Sequence, residues 1–153
     1  MHLVYTLETV KKQTQNSFLK IVRDAGLRAT KPRLLLLSLL QKAKYPVSIK
    51  DLRSQLKRAG IDQVTAYRTL TSFKKIGIVS QVDFQFGSAY YELHDTKNDH
   101  HHIVCTKCRK VEDFKGCEYE KLAVKALKQV NHFARITSHS FEFFGLCNVC
   151  VKS

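Results

Sequence analysis

A predicted helix covers Asp62-Gln-Val-Thr-Ala-Tyr-Arg-Thr-Leu-Thr-Ser-Phe-Lys-Lys75. Asp62 is a favourable N-cap residue for this helix. Ala66, Leu70 and Phe73 recur at helical spacing, so we expect this stripe to face a core. The opposite side of the helix is an outward face that is small, polar and singly basic: Thr65, Arg68, Thr69 and Ser72, with Tyr67 at its edge.

Helices are predicted before this segment and two strands after it. The predicted elements are a helix over 9–25 stopped by Gly26, a leucine-rich helix capped by Thr30, a helix over 48–59 capped by Ser48, and strands over 78–84 and 89–93. Helices followed by a hairpin are typical of a winged helix-turn-helix, in which one helix enters the DNA major groove. The alternative is a small helical domain with no role in nucleic-acid binding.

The composition predicts a folded protein. The chain has 153 residues, of which 44% are hydrophobic, with only two prolines and six glycines. This length suits one domain or two small ones. No segment reaches the roughly 18 apolar residues of a membrane span, and residues 1–10 lack the pattern of a signal peptide. We therefore expect a cytoplasmic protein that does not contact a membrane.

The positive charge is concentrated in the N-terminal part of the chain. Residues 1–93 carry 16 basic and 6 acidic side chains, whereas residues 94–153 carry 10 and 7. A basic half supplies sequence-independent affinity for nucleic acid, because binding to phosphates releases counterions. The alternative is a basic surface that only keeps the protein soluble.

Four of the five cysteines form two pairs, Cys105-x-x-Cys108 and Cys147-x-x-Cys150. In a cytosolic protein this spacing indicates metal ligands rather than disulfides. Because 38 residues separate the pairs, the fold must assemble the site. We interpret it as structural zinc bound by four thiolates, with a redox-active dithiol and a mononuclear iron site as alternatives. The fifth cysteine, Cys117, is interpreted as a packing residue rather than a ligand.

Three consecutive histidines, His100, His101 and His102, precede the first cysteine pair. On a strand, His100 and His102 would lie on one side and His101 on the other, so they can serve two different sites. Imidazoles with carboxylates suit Fe(II), Mn(II) or Zn(II), and the candidate carboxylates are Glu92, Asp113 and Glu120. An incidental solvated histidine run is the alternative. No HExxH or other catalytic spacing is present, so we expect no enzyme activity.

A polar segment over 94–99 marks the best domain boundary. We predict a winged-helix DNA-binding domain over 1–93, a hinge over 94–99 and a metal-binding dimerisation domain over 100–153. In the last part the pattern indicates strands at 100–105, 109–114 and 134–144, with a helix at about 118–131.

Six segments carry a family resemblance, in order from about Gly26 to Cys150. They are Gly26-Leu-Arg-Ala-Thr-Lys-Pro-Arg33, Val64-Thr-Ala-Tyr-Arg-Thr-Leu70, Tyr91-Glu-Leu93, His100-His-His-Ile-Val-Cys-Thr-Lys-Cys108, Lys110-Val-Glu-Asp-Phe114 and His139-Ser-Phe-Glu-Phe-Phe-Gly-Leu-Cys147. With these motifs the chain resembles the ferric uptake regulator (Fur) family of bacterial metal-dependent transcriptional repressors.

The resemblance implies an α+β protein: an N-terminal winged helix-turn-helix domain with a C-terminal α/β dimerisation domain that holds a zinc site of four cysteines. It implies a homodimer bound to a palindromic operator in double-stranded DNA. Carried over by position, Thr65, Tyr67 and Arg68 would lie on the recognition helix. Arg28 would reach the DNA backbone or minor groove.

The resemblance also implies three kinds of metal site. The paired cysteines match the structural Zn²⁺ ligands of the family. A regulatory site between the domains would bind Fe²⁺, Mn²⁺ or Zn²⁺ through Glu92, His100, His102 and Asp113. A further site inside the dimerisation domain would take His101, Glu120 and His139, with Asp99 as a weaker positional match.

Three positions depart from the family pattern. Pro46 stands where many members have a ligand histidine, so the regulatory site would lack that ligand or recruit His94. Arg109 replaces a glycine that often follows the second cysteine, which makes that turn less permissive. Asp113 stands where iron sensors commonly have Glu and peroxide sensors have Asp.

We therefore expect a metal-responsive repressor that controls metal homeostasis, with iron as the first choice of metal. A peroxide-sensing repressor of the same family is the first alternative. A zinc-stabilised protein that binds nucleic acid without sequence preference is the second.

Overall fold

The structure, a computed structural model, describes residues 7–94 and 100–152. The chain forms two compact units, Met1–His94 and Asp95–Ser153. The predicted hinge lies outside the described residues except for His94. The helices are α1 Leu7–Asp24, α2 Lys31–Lys42, α3 Arg53–Arg58, α4 Gln63–Lys75 and α5 Tyr119–Leu127; the strands are β1 Val47–Ser48, β2 Val79–Val82, β3 Tyr90–Leu93, β4 His101–Cys105, β5 Val111–Phe114 and β6 Glu142–Gly145.

The core of the N-terminal unit lies around the leucine-rich helix α2. Leu36 and Leu37 are fully buried, and Phe73 of α4 is fully buried in the same cluster. The prediction that α2 must be enclosed by neighbours is confirmed, because α1, α4 and β3 all contact it. Burying one such side chain stabilises the fold by about 1.5–3 kcal/mol.

Helix α4 begins as the sequence predicts. The Asp62 carboxylate caps it by accepting the backbone N–H of Thr65 at 2.8 Å. This hydrogen bond holds the pKa of Asp62 below its ordinary value. Ala66, Leu70 and Phe73 are buried, as expected.

The prediction that Thr69 lies on the outward face of α4 is wrong. Thr69 is buried, and its hydroxyl donates to the backbone oxygen of Thr65 at 2.8 Å. A hydroxyl that bonds back to the preceding turn needs no solvent, so a threonine can enter the buried side. Val64 and Thr71 are exposed instead, and they widen the outward face.

Ser48 does not cap a helix. It lies in β1, where its backbone N–H and its hydroxyl both donate to the Asp51 carboxylate at 2.7 Å. Turns follow, and α3 begins only at Arg53. Ile49, Leu52 and Leu56 are nevertheless buried as the sequence predicts. The Asp51 N–H in turn donates to the Ser48 hydroxyl at 3.3 Å, so these reciprocal hydrogen bonds close the turn that precedes α3.

Strands β1, β3 and β2 form an antiparallel sheet in that order among the described residues. The hairpin of β2 and β3 is the predicted wing, although both strands are shorter than the sequence indicates. Its loop contains Gln85 and Gly87, both with positive φ. Phe84 is buried and its ring lies 4.9 Å from that of Tyr90, which closes the base of the wing.

The described part of the C-terminal unit contains a sheet with the order β5-β4-β6. Strand β4 pairs antiparallel with β5 and parallel with β6. The predicted strand over 134–144 is mostly irregular, and only Glu142–Gly145 forms β6. The predicted helix over 118–131 is shortened to Tyr119–Leu127. None of the described helices has the length and apolar character needed to cross a lipid bilayer.

Candidate metal centres and nucleic-acid interface

The four paired cysteines converge in the C-terminal unit. Cys105 ends β4, and the parallel pairing of Cys105 with Gly145 of β6 brings the second pair alongside it. One sulfur from each of the four residues lies within 4.8 Å of the others, and the Sγ atoms of Cys108 and Cys147 are 3.6 Å apart. We call this group the four-cysteine cluster: Cys105, Cys108, Cys147 and Cys150.

Backbone N–H groups lower the pKa values of two thiols in the four-cysteine cluster, those of Cys105 and Cys147. The N–H groups of Cys108 and Cys147 point at the Cys105 sulfur, at 3.5 and 3.4 Å. These donors lower the pKa of Cys105 to about 6. The pKa of Cys147 is also lowered, chiefly by the backbone N–H of Cys150. The pKa of Cys150 is instead raised to about 12, because the Cys150 thiol keeps its proton in a hydrogen bond with Cys147.

The cluster has the dimensions of a zinc site. Zinc–sulfur bonds of about 2.3 Å in a tetrahedron place sulfur atoms about 3.8 Å apart. The observed distance of 3.6 Å between Cys108 and Cys147 is close to this edge. Two Cys-x-x-Cys turns that converge on one point fit a closed structural zinc site, in which the ion replaces the shared thiol protons.

Strand β4 separates the three histidines onto two faces, as the alternation predicts. The His100 and His102 rings lie 5.2 Å apart, and His102 Nε2 lies 3.8 Å from the Asp113 carboxylate on the neighbouring strand. His102 is only 2% exposed, whereas Asp113 is accessible to solvent. We call His100, His102 and Asp113 the imidazole–carboxylate cluster.

The other residues predicted for the regulatory site belong to other parts of the chain. Glu92 lies on β3 of the N-terminal unit, opposite Ser80 of β2. His94 follows β3, and its Nδ1 forms a 2.9 Å hydrogen bond with the hydroxyl of Ser80. Asp99 lies outside the described residues.

On the opposite face of β4, His101 meets His139 rather than Glu120. The two Nε2 atoms lie 3.4 Å apart, and the Cys117 sulfur lies 3.9 Å from His139 Nε2. His101, Cys117 and His139 form the group whose potential ligand atoms all lie within 4.8 Å, and Glu120 is not in that group of described side chains. The sequence analysis interpreted Cys117 as a packing residue, because a single cysteine without a spaced partner gives no metal-site signal. We call these three residues the thiol–imidazole cluster.

The outward face of α4 presents two of the predicted DNA contacts to solvent. Tyr67 is 45% exposed, and Arg68 is exposed beside it. Thr65 is only half-exposed, and its hydroxyl donates to the Asp62 carboxylate at 2.7 Å. Arg28 is exposed in the segment between α1 and α2, and its backbone oxygen accepts a hydrogen bond from Arg33 at 2.6 Å.

The chain is similar in sequence and in fold to known proteins. The chain is 38% identical over 133 residues to a ferric uptake regulation protein of Neisseria gonorrhoeae, a match that covers 84% of this chain and 90% of that protein. The ferric uptake regulator of Vibrio cholerae is 32% identical and has a TM-score of 0.66, with 84% of this chain and 98% of that one covered. The regulator of Francisella tularensis, determined with iron, is 29% identical with a TM-score of 0.66 and covers 82% and 96%.

A family model gives the same assignment from the sequence. The model described as the Ferric uptake regulator family matches residues 24–144. This span includes α4, the wing, the imidazole–carboxylate cluster and the first cysteine pair. The winged helix-turn-helix unit followed by a small α/β unit with a four-cysteine cluster is the fold predicted from the sequence. The protein therefore belongs to the ferric uptake regulator family of metal-responsive transcription regulators.

Proposed function

We propose that this protein is an iron-responsive repressor that binds a palindromic operator as a homodimer. The observation that carries the proposal is the imidazole–carboxylate cluster, which joins buried His102 to Asp113 in a regulator of this family. Relatives named as ferric uptake regulation proteins, at 35–38% identity, support iron as the metal that the protein senses.

The proposed DNA contacts lie on the basic N-terminal unit. Helix α4 enters the major groove, where exposed Tyr67 and Arg68 meet base edges or phosphates. Thr65 lies in the first turn of α4, where its half-exposed side chain would lie against the DNA beside Arg68. Arg28 contacts the DNA backbone or the minor groove. Scattered lysines supply further phosphate contacts that carry little sequence information.

The homodimer is proposed from the apolar surface of the C-terminal unit. Several large apolar side chains of its described residues are exposed in the single chain: Leu122, Phe133, Phe143 and Val149, among others. Large exposed apolar side chains in this number are typical of a protein interface. Closed two-fold dimers are the commonest homo-oligomers, and a two-fold protein matches a palindromic operator.

The regulatory ion is proposed to bind His100, His102 and Asp113, with Glu92 of the N-terminal unit as a fourth ligand. Imidazole and carboxylate ligands together suit Fe²⁺, Mn²⁺ or Zn²⁺. This ligand set contains no histidine from position 46, because Pro46 stands where many members of the family have one.

Metal binding by ligands from both units would select one dimer geometry. In that geometry the two recognition helices lie about one DNA turn apart, roughly 34 Å. To convert a 1:99 minority into a 99:1 majority, the ion must favour the binding-competent form by about 5.5 kcal/mol. The ion then acts as a corepressor, because it shifts a population that exists without it.

Titration of metal into anaerobically purified, zinc-loaded protein tests the function. We expect Fe(II) to increase the affinity for a palindromic operator. Binding to a shuffled duplex of equal length should stay weak. Affinity that does not depend on added Fe(II), Mn(II) or Zn(II) would contradict the proposal. Equal affinity for the two duplexes would favour a zinc-stabilised protein that binds nucleic acid without sequence preference.

Peroxide sensing is the second candidate, because Asp113 stands where peroxide sensors of the family commonly have aspartate. The same titration separates it from iron sensing. Under the peroxide hypothesis, the iron-loaded complex releases the operator on addition of hydrogen peroxide and does not rebind when fresh Fe(II) is supplied. Under the iron hypothesis, removal of Fe(II) by a chelator is enough for release, and the release is reversible.

Arg68→Ala is expected to reduce specific operator affinity by about 10- to 100-fold, as the loss of one good base or groove contact does. Lys44→Ala is the matched control, since Lys44 is also exposed and basic but lies outside α4. It should weaken binding to operator and shuffled duplex by similar, small factors. Equal losses in the two variants, measured by fluorescence anisotropy at fixed salt, would argue against a specific role for Arg68.

A further inference from the structure

The thiol–imidazole cluster lies on the face of β4 opposite the imidazole–carboxylate cluster. Its central residue, His101, is only 6% exposed, and its ring lies 5.6 Å from that of Phe114 and 5.5 Å from that of Phe141. Aromatic rings therefore hold the imidazole in place. Its Nε2 atom is directed at Nε2 of His139.

The other two members come from segments that are distant in sequence. Cys117 follows Gly116, whose φ of +97° allows the chain to turn into α5. His139 precedes β6, and its ring is stacked on that of Tyr119 with centroids 4.1 Å apart. Three separate segments thus present one potential ligand atom each to the same point.

The distances between the three potential ligand atoms are compatible with metal coordination. Zinc–nitrogen bonds of about 2.0–2.1 Å in a tetrahedron place nitrogen atoms about 3.3 Å apart, and a nitrogen and a sulfur about 3.6 Å apart. The observed distances are 3.4 Å between the two Nε2 atoms and 3.9 Å between the Cys117 sulfur and His139 Nε2. All three ligand atoms lie within 4.8 Å of one another.

We propose that Cys117 is a metal ligand and that its thiolate makes the thiol–imidazole cluster selective for Zn(II) over Mn(II) and Fe(II). The proposal rests on the further family site implied at His101 and His139, and it replaces the Glu120 carboxylate of that site by a thiolate. Thiolate is a soft ligand that favours Zn(II), whereas carboxylate and water suit Mn(II). Binding releases the thiol proton to solvent and leaves a fourth position for water.

As a consequence, the two faces of β4 would bind different kinds of metal ion. Asp113, with His100 and His102, offers oxygen and nitrogen ligands that accept a range of divalent ions. On the opposite face, His139 is exposed and Cys117 is half-exposed, so an ion can enter from solvent. A zinc ion retained there would link β4, the turn before α5 and the segment before β6.

Cobalt absorption spectroscopy tests whether Cys117 binds metal. Co(II) is titrated into full-length protein whose four-cysteine cluster is filled with zinc, both for the wild type and for Cys117→Ser. We expect a sulfur-to-cobalt charge-transfer band in the near ultraviolet for the wild type, because the imidazole–carboxylate cluster contains no sulfur. In Cys117→Ser this band is lost, while the visible bands of cobalt at the imidazole–carboxylate cluster and the zinc content of the four-cysteine cluster are unchanged.

Two outcomes would overturn the proposal. A wild-type spectrum without the charge-transfer band would show that Cys117 does not bind the ion. A band of equal intensity in Cys117→Ser would show that the sulfur belongs to the four-cysteine cluster. Either result leaves the proposed repressor function intact if Fe(II) still promotes operator binding, so the two proposals fail separately.

The selectivity is tested with Cys117→Asp, which offers an oxygen ligand at the same position. Zn(II) and Mn(II) affinities are measured by competition with a chromophoric chelator, in an Asp113→Asn background that weakens the other nitrogen and oxygen site. Zn(II) affinity should fall by at least about tenfold, and Mn(II) affinity should stay level or rise. An unchanged ratio of the two affinities would refute selection by the thiolate.

Discussion

Cys105→Ser is expected to unfold the C-terminal unit and to remove one zinc ion per chain. The described residues of this unit bury only four side chains: His101, His102, Val104 and Cys105. Burial of a valine contributes about 1.5–3 kcal/mol, whereas ordering each residue costs about 1–2 kcal/mol. A structural zinc ion supplies about 10–16 kcal/mol. We therefore expect this unit to depend on a zinc ion and on a partner chain far more than on its own core.

The N-terminal unit has its own core and should survive the substitution. Circular dichroism should show a partial loss of structure, and limited trypsin digestion should leave a resistant fragment that ends near His94. Sedimentation should show loss of the dimer. Asn148→Ser is the matched control, because it changes an exposed residue of the second Cys-x-x-Cys turn and keeps all four thiols of the four-cysteine cluster. A Cys105→Ser protein that stays dimeric and keeps the wild-type zinc content would contradict the structural role.

Asp113→Asn is expected to abolish the rise in operator affinity that the regulatory metal produces. Amide oxygen is a weaker ligand than carboxylate and leaves the positive charge of the ion uncompensated. Asp113 is also exposed and asparagine has nearly the same shape, so this substitution removes the carboxylate charge beside His102 without repacking that buried ring. A preference of about 5.5 kcal/mol for the binding-competent form changes the equilibrium between the two forms by about 10⁴-fold. The loss of metal-dependent operator affinity in Asp113→Asn cannot exceed this factor.

Glu112→Gln is the matched control for Asp113→Asn. Glu112 is the adjacent residue on β5, is exposed, and forms a 2.7 Å ion pair with Lys110. An exposed pair of this kind contributes little, so its loss should leave the response to Fe(II) unchanged. Anisotropy titrations with and without Fe(II) give the ratio of affinities for each variant. A full metal response in Asp113→Asn, or an equal loss in Glu112→Gln, would exclude Asp113 as a regulatory ligand.

Local patterns predicted the helices and the wing well, with errors where side chains compete for backbone groups. The stripe of Ala66, Leu70 and Phe73 was correctly predicted to be buried. Thr69 was predicted on the outward face but is buried, because its hydroxyl bonds to Thr65. Hydropathy treats a hydroxyl as polar whether or not a local partner satisfies it, so Thr69 was assigned to the wrong side. Ser48 was predicted to cap a helix but lies in β1, and α3 begins five residues later.

The sequence by itself determined the pairing of Cys105 with Cys108 and the separation of His101 from His102, because the spacing within a turn or along a strand depends only on neighbouring residues. Only the tertiary structure decided which distant groups would meet. Parallel pairing of β4 with β6 brings Cys147 to Cys105, and the segments before α5 and β6 bring Cys117 and His139 to His101. Such encounters depend on strand order and loop path, which residue spacing does not encode.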